Sequence, residues 1–127
     1  MHGFDDVTLS WQGQSFTVPA NNQMMLIAKI EDALGGEGGQ QAMTVLFRRE
    51  GPPMSRLAMA FGAALRHAGA KVSDEDVYLS MQTDLVNKSK KAQLATIQNC
   101  IFALLSIISP PAVAAMNSKA DDTEKKD

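Results

Sequence analysis

Two helix boundaries lie close together in the middle of the chain, and they constrain the fold more than any other stretch. Pro53 fits the first turn of a helix, where its missing N–H has no partner to lose, and Gly69 supplies the left-handed residue that ends one. Ser73 is typical of an N-cap and is followed by three acidic residues. The spacing therefore predicts one helix over 53–68 and a second beginning at Asp74. The first helix has one apolar face, made of Met54, Leu57, Ala58, Phe61, Ala64, Leu65 and Ala68.

The N-terminal segment has the alternation of a β-hairpin. Residues 7–18 read VTLSW-QG-QSFTV, two alternating runs separated by a two-residue turn. This register sets Leu9 opposite Phe16 and Val7 opposite Val18, so the apolar side chains of both runs share one side. A lone hairpin is marginal in water, so we expect that side to rest on helices or on further strands.

A helix and a loop are predicted between the hairpin and the central helices. Asn21 or Asn22 can cap a helix that runs to about Leu34. The glycines of 35–39 then stop regular structure and predict a flexible loop. Segment 40–50 fits either a short helix or a buried strand, and of the two we expect a helix.

Two further helices are predicted in the second half of the chain. The first covers about 74–89 and ends in Lys88, Lys90 and Lys91, whose charges suit the negative end of a helix dipole. The second covers 92–108 and is apolar nearly all round towards its end.

The chain after these helices predicts a break and a tail. The proline pair at 110–111 ends the preceding helix, and 112–116 has the length of one more turn. Segment 117–127 is charged and lacks aromatic and branched apolar residues, so we expect it to be disordered. The predicted fold is α+β and mainly α: an N-terminal hairpin at about 7–18, then four or five helices, in a single domain over 1–116.

Charge and cysteine content limit the partners and the compartment. A net charge of -2 and a pI near 5.6 supply no basic field for nucleic acid or an anionic membrane. The single cysteine, Cys100, cannot form an internal disulfide, which favours a reducing compartment such as the cytoplasm. The longest apolar run, Cys100 to Ile108, is about half of a bilayer span, and no signal-peptide pattern opens the chain. We expect no nucleic-acid partner and no membrane partner.

No set of residues has the pattern of a catalytic or metal site. The two histidines, His2 and His67, have no ligand spacing, and Cys100 lies among apolar neighbours that disfavour a thiolate. The acidic run 74–76 lacks the alternating ligands of a calcium loop, and the glycines of 35–39 lack the Lys-Ser/Thr of a phosphate loop. We expect a protein that is not an enzyme and that needs no metal or cofactor.

The remaining signal is apolar surface that a chain this short has difficulty hiding. The run 101–108 points around the whole circumference of its helix, which favours an interface. The predicted partner-binding residues are Ile101, Leu104, Leu105 and Ile108, then Met54 and Phe61. Adaptable methionines that could line an accommodating groove, or belong to the core, are Met24, Met25, Met43, Met54, Met59 and Met81.

Two segments carry a resemblance to a known family. The stretch LxMAFxAALRxAGxxVSDEDVY at Leu57 to Tyr78 and FTVP at Phe16 to Pro19 are similar to the small tail assembly chaperones of long-tailed phages, prophages and gene transfer agents. The resemblance covers roughly Val7 to Ser89. It implies a non-enzymatic helper in the bacterial host cytoplasm that coats the tape measure protein, keeps it soluble and helps recruit tail tube subunits. The family supplies no residue-level site.

The resemblance also implies a third partner in some members of the family. There, a ribosomal frameshift near the end of the gene makes a longer form of the same protein. Lys125 and Lys126 are compatible with a slippery codon pair, and the nucleotide sequence decides whether that site exists.

Two other classes remain open besides this chaperone. A structural tail completion or connector subunit would use the hairpin to add strands between copies, and would form rings or tubes as a homo-oligomer. A small regulatory protein that binds a host protein would lie at an isolated locus, away from tail genes.

Overall fold

A computed structural model of the chain describes residues 4–21, 23–35, 45–47, 52–87 and 89–116. It has the predicted α+β, mainly helical fold, with an N-terminal hairpin followed by five helices. The elements are β1 (Val7–Trp11), β2 (Gln14–Val18), α1 (Gln23–Gly35), α2 (Met54–His67), α3 (Asp74–Asn87), α4 (Lys90–Ile108) and α5 (110–116). The predicted tail, 117–127, lies outside the described residues.

The hairpin has the predicted register. β1 and β2 are antiparallel, with Val7 opposite Val18 and Leu9 opposite Phe16. The turn residues Gln12 and Gly13 have φ of 47° and 76°, the two positive angles that a tight two-residue hairpin turn requires. Leu9 and Val18 are fully buried on the inner side. One face of the hairpin therefore packs against the helices, as expected.

Helix α1 is joined to the hairpin by one buried amide. Gln23 is 1% exposed, and its Nε2 donates to the carbonyl oxygen of Asp5 at 2.8 Å and to that of Pro19 at 3.1 Å. These carbonyls lie just before β1 and just after β2. Helix α1 ends at Gly35, which confirms the predicted helix end near residue 34. Its first residue, Gln23, also holds the hairpin in position.

Only 45–47 of the ambiguous segment 40–50 is described. Val45 and Leu46 form a helical turn and are buried, which agrees with the expected helix at that point. The remaining residues of the segment, and most of the glycine loop, lie outside the described part of the chain.

Helices α2 and α3 form an antiparallel pair. At one end Arg66 Nη2 lies 2.9 Å from Asp74 Oδ1, an ion pair without the alignment of a hydrogen bond, and at the other Gln82 Nε2 donates to Met54 Sδ at 3.0 Å. Gly62 leaves room for the Asp74 side chain between the helices, because an added Cβ at this position would lie 2.6 Å from Asp74 Oδ1.

The predicted caps of this pair are also present. Gly69 has φ of 104°, in the left-handed region, and ends α2. Ser73 Oγ accepts from the backbone N–H of Asp76 at 3.0 Å, and the Asp76 carboxylate accepts from that of Ser73 at 3.1 Å. Two of the backbone N–H groups at the start of α3 are thus satisfied by side chains, as in a capping box.

Helix α4 begins earlier than predicted, at Lys90 instead of residue 92. Ser89 caps it by accepting from the backbone N–H of Ala92 at 3.3 Å. The prediction that Lys90 and Lys91 belong to the end of α3 is wrong, because that helix stops at Asn87 and the two lysines fall in the first turn of α4.

Candidate partner-binding groove

A shallow groove runs along the outer side of the α2–α3 pair. It has a volume of about 310 Å³. Its lining, which we call the α2–α3 groove, consists of Ser55, Ala58, Met59, Asp74, Glu75, Tyr78 and Leu79. Two of the α2 residues that line it, Ser55 and Ala58, are small.

The walls of this groove are large apolar side chains left open to solvent. Met59 and Tyr78 are each 37% exposed and Leu79 is 61% exposed. In a folded domain such side chains, gathered in one concave place, mark a binding surface more often than scattered single residues do. Val77 and Met81, on the inward side of α3, are buried instead.

The end of the groove at the first turn of α3 is acidic. Asp74 is paired with Arg66, and the carboxylate of Asp76 accepts from the backbone N–H of Ser73. Glu75 is exposed and makes no ion pair within the described ranges of the chain. The groove thus offers an apolar centre with the Glu75 carboxylate at one end.

The predicted partner-binding residues do not form a common surface. Leu104 and Leu105 are 0% and 2% exposed, and Phe61 is 4% exposed. All three lie in the core with the rest of the apolar cluster, so a partner cannot reach them while the domain is folded. The partly exposed members of the predicted set are Ile101, Ile108 and Met54.

The second half of α4 buries more of its apolar side chains than the sequence pattern predicts. The buried residues of this helix are Cys100, Leu104, Leu105 and Ile107. Strand β1 and helices α1, α2 and α3 all contact α4. Its first half carries the exposed Leu94 instead, and Phe102 is also exposed.

The methionines divide between surface and core. Met24 and Met25 on α1 are 65% and 69% exposed, whereas Met81 is buried. Met59 alone of the predicted methionines lines the groove, and Met43 lies outside the described residues. A groove built mainly of methionine is therefore not found in the part of the chain that is described.

A second cleft, of about 600 Å³, lies between β1, α3 and α4. Cys100 and Asp84 both line it. Burial, and secondarily the nearby Asp84 carboxylate, raise the pKa of the Cys100 thiol from 9.0 to about 11. The thiol therefore stays protonated at neutral pH, which makes it a poor nucleophile and a poor metal ligand.

The described residues contain no group of three or more His, Cys, Asp or Glu side chains that could hold a metal ion. His67 lies half-buried at the end of α2, and His2 falls outside the described part.

Helix α4 also passes a membrane-span test by length and composition. Only 22% of its apolar window is buried, and it is the one such helix among the described residues. A single helix of this kind is weak support for a span, because core helices and signal sequences have the same properties.

The sequence of α3 contains a signal for the α2–α3 groove, namely large apolar residues that lie outside the buried face of the helix. Val77 and Met81 follow the four-residue spacing of that face, while Tyr78 and Leu79 fall beside it. Two neighbouring large apolar residues off the buried face are the signal. Comparison of the chain with protein-family models, curated proteins and solved structures found no match.

Proposed function

We propose that this chain is a tail assembly chaperone of a phage or prophage. It binds the tape measure protein, keeps it soluble and helps recruit tail tube subunits, in the cytoplasm of the bacterial host. The observation that carries the proposal is the α2–α3 groove, in which the exposed side chains of Met59, Tyr78 and Leu79 line one concave surface.

The groove and the family resemblance involve the same stretch of chain. The resembling segment from Leu57 to Tyr78 includes most of α2 and the first turn of α3, and it supplies Met59, Glu75 and one wall of the groove. A chaperone of an elongated client needs many weak apolar contacts that tube subunits can displace one by one. A shallow groove with an adaptable methionine fits that requirement.

The role proposed is binding without catalysis. The Cys100 thiol, with its pKa raised to about 11, is disfavoured as a nucleophile at neutral pH. The side chains of the groove itself offer apolar surface and the Glu75 carboxylate, which suit recognition of a polypeptide better than bond cleavage.

Co-expression with a phage tape measure protein tests the proposal. We expect its soluble yield to rise with the wild-type chain and to lose most of the gain with Leu79→Gln combined with Met59→Gln. Met25→Gln is the matched control, because Met25 is 69% exposed and lies on α1, outside the groove. Circular dichroism checks that all variants are folded.

Two results would contradict this proposal. One is no gain in soluble tape measure protein from the wild-type chain. The other is an equal loss from the groove variant and from the α1 control, which would mean that the groove has no particular part in the effect.

A further inference from the structure

Strand β1 has one edge without a neighbouring strand among the residues that the structure describes. Its sheet has two strands, so β2 covers one edge of β1 and leaves the other free. The two-residue turn makes Trp11 and Gln14 a hydrogen-bonded pair, and such pairs alternate along an antiparallel ladder. The N–H and C=O groups of Thr8 and Ser10 therefore point away from β2. Both residues are exposed.

The cleft of about 600 Å³ between β1, α3 and α4 runs along this free edge, and we call it the β1 cleft. One side of its lining includes every residue from Val7 to Gly13. Ser15 and Thr17 hold the equivalent positions on the other edge of the hairpin, and they are not part of this lining. The free edge of β1, unlike that of β2, thus opens on this cavity.

The opposite wall of the β1 cleft has both apolar and polar side chains. Met81 and Phe102 provide apolar surface, and Phe102 is 43% exposed. Asn99 is exposed on α4, and its amide can both donate and accept a hydrogen bond. Among the described residues of the lining, Asp84 alone is charged. The cleft is therefore complementary to a segment that carries an apolar side chain and a cation.

The free backbone groups of β1 favour an extended occupant over a helix. A helix engages its own N–H and C=O groups, so it cannot bond to those of Thr8 and Ser10. A helix is also about 10–12 Å across, and β1 and α4 already contact each other. An added strand needs only about 4.8 Å from β1. Strand β1 has five residues, so about five residues of a partner suffice to cover its edge.

We propose that the β1 cleft binds an extended segment of a partner protein, which adds to β1 as a third strand and places a lysine or arginine beside Asp84. Main-chain hydrogen bonds to Thr8 and Ser10 supply affinity, and the side chains that enter the cleft supply the preference for sequence. This surface is separate from the α2–α3 groove. The inference does not depend on the proposed function.

A set of short peptides is the probe for this surface. Each is a capped octapeptide that alternates threonine with valine and carries one lysine, placed at each position in turn. Trp11 is the one tryptophan of the chain and lines the cleft, so its fluorescence reports binding to the full chain. We expect at least one peptide to bind. The same peptide with glutamate in place of lysine should bind about three- to tenfold more weakly.

The contribution of the peptide backbone has a matched control. N-methyl groups on alternate residues remove the hydrogen-bond donors from one edge of the peptide and leave its side chains unchanged. Two such peptides, methylated on opposite edges, are compared. We expect one of them to bind at least about tenfold more weakly, because it loses its donors to β1, and the other to lose much less.

Amide hydrogen exchange shows which edge of the hairpin is used. In the free chain the N–H groups of Thr8 and Ser10 face the cleft, so we expect them to exchange rapidly. A saturating amount of the bound peptide should slow their exchange at least about fivefold. Ser15 and Thr17, on the other edge, should exchange at the same rate with and without peptide.

Variants of the chain test the two sides of the cleft. Ser10→Pro removes a free N–H of the edge without removing a bond of the ladder. Its matched control is Ser15→Pro, at the position opposite Ser10 on β2. We expect the first variant to bind the peptide at least about fivefold more weakly, and the second to bind it like wild type. Circular dichroism checks that both are folded.

The charge is tested separately, without a change in the backbone. Asp84→Asn should remove most of the preference for the lysine peptide over the glutamate peptide. Glu75→Gln is the control, because Glu75 is exposed on the same helix and lies outside the β1 cleft. This variant should keep the preference of the wild-type chain.

Several results would overturn the inference. They are a set of peptides of which none binds, binding that methylation of either edge leaves unchanged, and a lysine preference that survives Asp84→Asn. Exchange at Thr8 and Ser10 that slows with rising concentration of the chain alone would also overturn it, because a second copy would then occupy the edge. Peptide binding without a gain in soluble tape measure protein would reject the proposed function and keep this inference, and the converse result would do the reverse.

Discussion

Helices α2 and α4 are both rich in apolar residues, yet they use them differently. Helix α2 buries seven of its 14 residues, spread along its length, whereas α4 buries four of 19, all from Cys100 onwards. Helix α2 has a single apolar face with polar residues behind it. In α4 nearly all the polar residues lie in the first half, which contains no buried residue, and the apolar second half contains all four buried ones. The difference teaches that burial follows where the apolar residues lie along a helix, more than how apolar the whole helix is.

The comparison predicts that the buried half of α4 cannot tolerate a charge. Leu104 is fully buried, so Leu104→Asp places a carboxylate among core side chains without a partner. We expect a loss of about 4 kcal/mol or more in the free energy of unfolding, enough to unfold a domain of ordinary stability. Circular dichroism and urea titration measure it. A folded variant that still unfolds cooperatively would mean that this half of α4 is a free surface after all.

A shortened side chain in the core face of α2 tests the same comparison. Leu57 is 1% exposed, and Leu57→Ala removes buried methyl groups and leaves a cavity beside them. The expected cost is about 2–5 kcal/mol, measured as a shift in the urea midpoint. A cost below about 1 kcal/mol would show that α2 is no better packed than the first half of α4.

The first buried residue of α4 gives a pH test. The pKa of Cys100 is raised from 9.0 to about 11, so the folded chain holds the thiol proton more tightly than the unfolded chain does. Below pH 9 the thiol is protonated in both states and contributes no pH dependence. Between pH 9 and about 11 the unfolded chain loses the proton first, so stability falls by about 2–3 kcal/mol.

Urea titrations of wild type and Cys100→Ala across this pH range isolate the effect from that of other groups. The alanine variant should lack this part of the alkaline loss. Parallel pH profiles for the two proteins would mean that Cys100 is not buried and that the covered part of α4 begins further along.

The smallest effect is expected in the first half of α4. Leu94 is 60% exposed, so Leu94→Gln should change the free energy of unfolding by no more than about 0.5 kcal/mol. Urea titration measures it. A loss as large as that of Leu57→Ala would erase the distinction between the two helices.

Local rules predicted much of the fold. Alternation and a two-residue turn were enough for the hairpin register, and the signals at Pro53, Gly69 and Ser73 located α2 and the start of α3 to within a residue or so. These features depend on backbone geometry and on side chains close in sequence. The boundary between α3 and α4 was missed because Ser89 caps the later helix, which leaves Lys90 and Lys91 in its first turn.

The candidate site was harder to predict, because burial depends on residues far apart in the chain. Leu104, Leu105 and Phe61 looked like surplus apolar surface, but neighbouring elements cover them. Tyr78 and Leu79 became a groove wall only once α2 lay alongside α3. Sequence spacing gives the face of a helix, and it does not tell which faces find a partner within the chain.

The single amide at the start of α1 has a mechanical consequence for the molecule. Gln23 donates hydrogen bonds to a carbonyl oxygen before the hairpin and to one after it, so both ends of the hairpin are held against the start of α1. Separating the hairpin from α1 would break both hydrogen bonds at once. We therefore expect the hairpin and the start of α1 to open together as one cooperative unit.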